Sequence, residues 1–174
     1  MFTGEFNMPL CANELRDWVI TATLDELELN WPTERLEAAR ELLVATAAQE
    51  SGLGYQMQSG RRLGIYLISP SLHKSIWDNF LIDNPDLASR VRGMAGQHSF
   101  LINPHGELLT NLKYATAIAL MIYLRCGEAF PRQHDLTAMA IFWHRHFHPK
   151  APSRPDLFIR NYRLHTQGQS HLVA

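Results

Sequence analysis

Glu41-Leu-Leu-Val-Ala-Thr-Ala-Ala-Gln-Glu50-Ser51-Gly52-Leu53-Gly54 is a helix-forming run that stops at two glycines. Behind Glu50, the residues Leu36, Ala39, Leu43 and Ala47 recur at the spacing of one face of a 3.6-residue period. The pattern places a carboxyl on the apolar stripe, at a helix end, beside glycines that let backbone or ligand come close. Desolvation there raises a carboxyl's pKa and keeps it protonated near neutral pH, as a general acid requires. The competing reading of the position alone is an ion-paired or snorkelling helix-end glutamate without chemistry.

Helical periodicity extends over most of the 174 residues. Asn13 is placed to cap a first helix with Leu15, Trp18, Val19 and Ala22 on one face. Trp31-Pro32 breaks it, and Thr33 is placed to cap a second helix that runs to Glu50. Residues 51–70 are Gly-, Ser- and Arg-rich around one short apolar stretch, Leu63-Gly-Ile-Tyr-Leu-Ile68, read as a strand remnant. Pro70 ends that stretch, and Ser71 opens a helix carrying Leu72, Ile76, Phe80 and Leu81. Asn84-Pro85 begins another through Leu87, Val91 and Met94, and 95–107 reads as loop. The longest apolar helix spans 108–125 and is apolar on nearly every side, which makes it central. Asp135 caps Leu136–His146, and Pro149, Pro152 and Pro155 form a stiff connector to a last helix over Asp156–Leu164. The expected class is mainly α, one domain with a minimal β element. Its organisation is an N-terminal helical extension over 1–30, a core over 31–165 and a polar tail over 166–174.

Composition narrows the function. Hydrophobic residues make up 46% and charged residues 19%, the balance of a globular chain. A formal net charge of -1 offers no overall field to nucleic acid or anionic lipid. No apolar run approaches the ~20 residues of a membrane span, so no membrane insertion is expected. The start, Met1-Phe-Thr-Gly-Glu-Phe, lacks the pattern of a signal peptide. Cys11 and Cys126 allow one bridge but have no metal-ligand spacing. His144, His146 and His148 diverge around a helix and are not expected to share a metal. Phosphate-loop, dinucleotide and nucleophile-elbow signatures are all missing, so no cofactor is expected.

Glu50-Ser51-Gly52, a loop, then Gly64-Ile65-Tyr66-Leu67-Ile68-Ser69-Pro70 resembles the lytic transglycosylases of the lysozyme-like superfamily. Their signature is a helix ending in Glu-Ser followed by a Gly-Leu-Met-Gln-Ile-x-Pro-like strand and turn. Further runs resemble the small transglycosylase-like proteins of tailed bacteriophages: His73 to Leu81, Asn111 to Ala119, Tyr123-Leu124-Arg125 and Ala138 to Phe147. Together these cover about residues 35–165.

The resemblance implies a lysozyme-like fold that cleaves the β-1,4 bond between N-acetylmuramic acid and N-acetylglucosamine. One glutamic acid protonates the glycosidic oxygen. It then acts as base while the muramic acid's own 6-hydroxyl attacks, giving a 1,6-anhydro product. Glu50 would be that catalytic acid and base. Ser51, Gly52, Tyr66, Ile68, Tyr123, Trp143 and Phe147 would contact the glycan strand, although aromatics at helical spacing also suit a core. The implied setting is a virion, as a tail protein among other tail proteins that opens the cell wall during DNA injection. The alternatives are a structural virion protein with a degenerate fold, a wall-binding module without turnover, and an endolysin. Leu67 stands where the family usually has Gln, and Phe147 and His148 where it often has Tyr and Asn, which implies reduced activity.

Overall fold

The computed structural model describes residues 9–167. The chain start read for a signal peptide and the end of the polar tail lie outside the described residues. Helices account for most of the described chain. The first (α1) comprises Ala12–Glu14, a π-helical stretch Leu15–Ile20 and Thr21–Leu27. The second, α2, is Thr33–Ser51. Two two-residue strands follow, β1 (Gln58–Ser59) and β2 (Arg62–Leu63). Then come α3 (Pro70–Asn79), α4 (Pro85–Met94), α5 (Gln97–Ile102), α6 (Glu107–Thr110), α7 (Leu112–Leu124), α8 (Leu136–His146) and α9 (Pro155–Gln167).

The core forms around α7, in which every residue from Tyr114 to Tyr123 is buried. It is one cluster that also takes in Leu15, Ile20, Leu24 and Leu27 of α1. Helix α2 is buried on more than the single face its periodicity predicts, from Ala38 and Ala39 through Glu41 to Ala48. Its alanines let neighbours approach closely, and α9 packs along it with Asn161 donating to Gln49 at 3.0 Å.

Several boundaries differ from the sequence reading for identifiable reasons. In α1 the π-helical turn lengthens the local period, so the inward positions jump from Leu15 to Ile20 and Trp18 is left 78% exposed. Neither Asn13 nor Thr33 caps with its side chain. Ser69, not Ser71, caps α3, accepting from the Leu72 amide at 3.2 Å. The predicted 108–125 helix is split by Asn111, whose side-chain Oδ1 accepts from the Tyr114 amide and caps α7. The 95–107 loop contains α5. The Asp135 cap is present at 2.9 Å, and the last helix starts at Pro155, where proline is tolerated, and extends to Gln167.

The β element is minimal. Strands β1 and β2 pair antiparallel, Ser59 opposite Arg62, and Leu63 bridges to Ile68. Gly60 supplies a left-handed φ of +59° at the first position of the two-residue turn. Gly64 is needed for a different reason. A Cβ there would lie 1.8 Å from the Leu108 carbonyl oxygen, so the hairpin can dock on α6 only through a bare backbone. Cys11 and Cys126 are free thiols, and no described helix is long and apolar enough to cross a membrane.

A buried polar relay ties α3 to α7. Trp77 Nε1 donates to the Tyr114 hydroxyl at 2.9 Å, and that hydroxyl lies 2.6 Å from His73 Nε2. His73 Nδ1 meets His105 Nδ1 at 2.8 Å. Burial, helped by His105, lowers the His73 pKa to about 4 from 6.5. Below pH 6.5 the unfolded chain binds a proton that the folded chain refuses. The stability carried by neutral His73 is therefore complete above pH 6.5 and is lost as pH falls towards 4. Urea unfolding should show a loss of about 2 kcal/mol between pH 7 and pH 5. His73→Gln should be less stable at pH 7 but flatter over that interval. An equally steep profile in the variant would refute this account.

Candidate functional site

Glu50 sits in the last turn of α2, and its side chain is 2% exposed. The end of this helix is fixed from two directions. Gly52 adopts a left-handed φ of +61°, and the Leu53 amide reaches back to the Ala47 carbonyl at 3.1 Å. The Ser51 hydroxyl donates to the Ile65 carbonyl at 2.5 Å and accepts from the Gly54 amide at 2.8 Å. Ser51 therefore clamps the helix end to the segment after β2. It is buried with its hydroxyl occupied and positions Glu50, and it also lines one depression beside that residue.

The carboxyl meets three donors. Trp143 Nε1 of α8 donates to Oε1 at 2.9 Å. Arg62 of β2 donates to Oε2 at 3.0 Å. His148 Nδ1 lies 3.2 Å from Oε1, and the Arg62 guanidinium lies 3.0 and 3.1 Å from the two imidazole nitrogens. A tautomer with Nδ1–H donating to Glu50 and Nε2 accepting from Arg62 satisfies all three groups. Thus the carboxyl is desolvated as the sequence predicts, but its surroundings are polar. Burial on an apolar stripe describes the helix and not the atoms around the carboxyl oxygens.

Glu50 borders two depressions. One, of about 410 Å³, is lined by Arg62, Leu67, Leu72, Arg125, Phe147, His148 and Lys150, with Ser69, Ser71 and Pro149. The other, of about 310 Å³, lies towards Gly52, Tyr55, Gln56, Asn161 and His165. Arg62 and His148 each touch the carboxyl and each line the first groove, so they stand between the groove and the carboxyl oxygens. Glu50 is the only carboxylate among the described residues lining either depression. Elsewhere in the chain, Asp78 pairs on the surface with Lys74. Glu107 is buried, which opposes ionisation. Hydrogen bonds from Ser99, the Gly96 amide and Asn111 outweigh that and hold its pKa below the usual value.

Three expected glycan contacts belong to the core instead. Tyr66 is fully buried, 3.1 Å from Thr116 Oγ1, and burial pushes its phenol pKa upward. Ile68 is 1% exposed in the main cluster. Tyr123 is buried, stacked on Phe142 at 5.4 Å, with its hydroxyl 2.7 Å from Thr46. The short apolar stretch and the helical aromatics signal packing here because each hydroxyl finds a partner inside. Trp143 is also buried and packs on Phe158 at 5.5 Å, so it orients the carboxyl and is no open sugar platform. Phe147 alone among the expected aromatics reaches the groove wall. Gly52 lines the second depression.

The residues that sequence reasoning missed as partners of Glu50 are Arg62 and His148. The signal for Arg62 was the glycine-led turn at Gly60, which fixes the register and so the direction of Arg62. His148 was visible only as a departure from a motif. The histidines at 144, 146 and 148 do not converge: His144 Nε2 contacts the Ala151 carbonyl at 2.8 Å, His146 Nε2 lies 3.3 Å from Glu128 without a hydrogen bond, and His148 joins Glu50.

Comparison of the chain with family models, with curated proteins and with solved structures gave no match.

The core placement of Tyr123 can be tested directly. Tyr123→Phe breaks one buried hydrogen bond and should cost about 1 kcal/mol of stability in denaturant titrations. Unchanged stability would refute the buried bond to Thr46 as a part of the core.

Proposed function

We propose that this chain is a lysozyme-like peptidoglycan lytic transglycosylase, with Glu50 as acid and then base. The observation that carries the reading is a lone carboxyl at a clamped helix end that borders two depressions. A polymer cut at an internal bond needs binding surface on both sides of the acid. Paired-carboxylate glycosidases hold two acids about 5–9.5 Å apart. With no second carboxylate among the described residues lining the site, attack by the sugar's own hydroxyl suits it better than attack by activated water. The proposed biological setting is a bacteriophage tail, where the protein contacts other tail proteins and opens the wall during DNA injection. Use as an endolysin is the alternative setting.

A proton on Oε2 would share that oxygen with the Arg62 N–H, and because arginine has no acceptor, donation to a glycosidic oxygen is easiest with Arg62 drawn aside. Trp143 and His148 then hold Oε1 and keep the group oriented. A second reading draws on those same donors. A virion protein or wall-binding module without turnover would also keep Glu50, as the structural anchor of Arg62, Trp143 and His148.

Zymography on purified peptidoglycan separates the two. Glu50→Gln keeps the shape but cannot shuttle the proton, and general acid catalysis is worth about 10²–10⁴-fold. The wild type should clear peptidoglycan, the variant should not, and the products should carry anhydro ends one water lighter than hydrolysed ends. Equal clearing by both proteins would remove Glu50 from the mechanism. A wild type without activity would favour the structural reading.

A further inference from the structure

The groove beside Glu50 holds more positive charge than its one carboxyl offsets. Arg62, Arg125 and Lys150 line it. Arg62 is already paired with Glu50. Arg125 donates to the His146 carbonyl at 3.3 Å, and neither it nor Lys150 has a carboxylate partner among the described residues. Both are exposed side chains facing one shared depression. The remaining wall is apolar, from Leu67, Leu72 and Phe147. A ligand that matches this surface has a carbon-rich face and carries carboxylates.

We propose that the groove binds a glycan through carboxylates on its substituents, anchored by Arg125 and Lys150, and that a ligand carboxylate draws Arg62 off Glu50. This rests on the proposed reaction for the meaning of the Arg62 step, but not for the binding itself. The step is an exchange of partners. Arg62 leaves one carboxylate and gains another, while Glu50 keeps its bonds from Trp143 and His148. A neutral ligand would break the buried pair and return nothing to it, the costly case for an ion pair. The Arg62 side chain is 30% exposed and sits on a two-residue strand, so it has somewhere to go. Glu50, at 2% exposure, does not. Arg62 is therefore a positioning residue that makes the acid available only when an acidic ligand is present.

The test uses peptidoglycan tetrasaccharides bearing stem peptides, with the peptide carboxylates either free or capped as methylamides. Hydrogen bonds between charged groups are worth about ten- to a hundredfold in affinity. Calorimetry on the wild type should show the free form binding tighter by about that factor. Arg125→Gln and Lys150→Gln, both at exposed positions, should each weaken binding of the free form, read as Kd or KM, and narrow its preference over the capped form. Arg62→Gln should act on kcat: the ratio of kcat between the two forms should shrink towards one. Equal affinity of the wild type for both forms, or an unchanged preference in the Arg125→Gln/Lys150→Gln double variant, would overturn the proposal. Cleavage indifferent to capping would overturn it while leaving the reaction standing. A wild type that prefers the free form and cleaves neither would sink the reaction and uphold the anion-binding groove.

Discussion

A helix buried over most of its surface has to find a partner for each polar side chain it carries, because an unpaired buried polar group costs about 1–3 kcal/mol. Helix α2 carries Glu41, Thr46, Glu50 and Ser51 into that position. Each is answered by a different part of the chain. Glu41 takes the His134 amide at 2.5 Å and the Tyr162 hydroxyl at 3.0 Å. Thr46 meets Tyr123 of α7. Ser51 holds the segment after the hairpin, and Glu50 gathers Arg62, Trp143 and His148. The polar side chains of one helix thus set where the hairpin, α7, α8 and α9 sit. The apolar burial supplies the driving force, and these bonds select the arrangement.

Much of this was legible in the sequence where the signal is local. The Asp135 cap, the Pro85 helix start and the apolar character of the central helix follow from side-chain chemistry within a few residues, and all three appear, although that helix was read over 108–125 and spans Leu112–Leu124. The misses have tertiary causes. A π-helical turn moved the buried face of α1, and nothing in the spacing of Leu15, Trp18 and Val19 announces it. Asn111 divided a run of apolar residues because its amide also donates to the Met94 carbonyl at 2.8 Å, a contact with a neighbouring helix.

The candidate site was legible in one residue and opaque in its surroundings. Glu50 could be placed because a helix period and a glycine stop converge on it. Arg62 and His148 reach it across separations of 12 and 98 residues. Beyond the Gly60 turn that sets the direction of Arg62, a single sequence holds no trace of such a pairing except the residue types. Tyr66, Ile68 and Tyr123 were readable as apolar or aromatic, but the pattern of a core and the pattern of a sugar platform are the same in one dimension. Thr116 and Thr46, which satisfy the two hydroxyls, decide between them.

The position of Glu50 also explains why a cation stands next to it. The C-terminal end of a helix carries partial negative charge, equivalent to roughly half an elementary charge. A carboxylate placed there is repelled by the helix that presents it, and burial adds to the cost. Arg62 offsets both effects. A fixed apolar pocket would instead leave an unpaired carboxyl buried at all times, a standing cost to stability. The pair with Arg62, supported by Trp143 and His148, is what makes a buried carboxyl tolerable at this helix end.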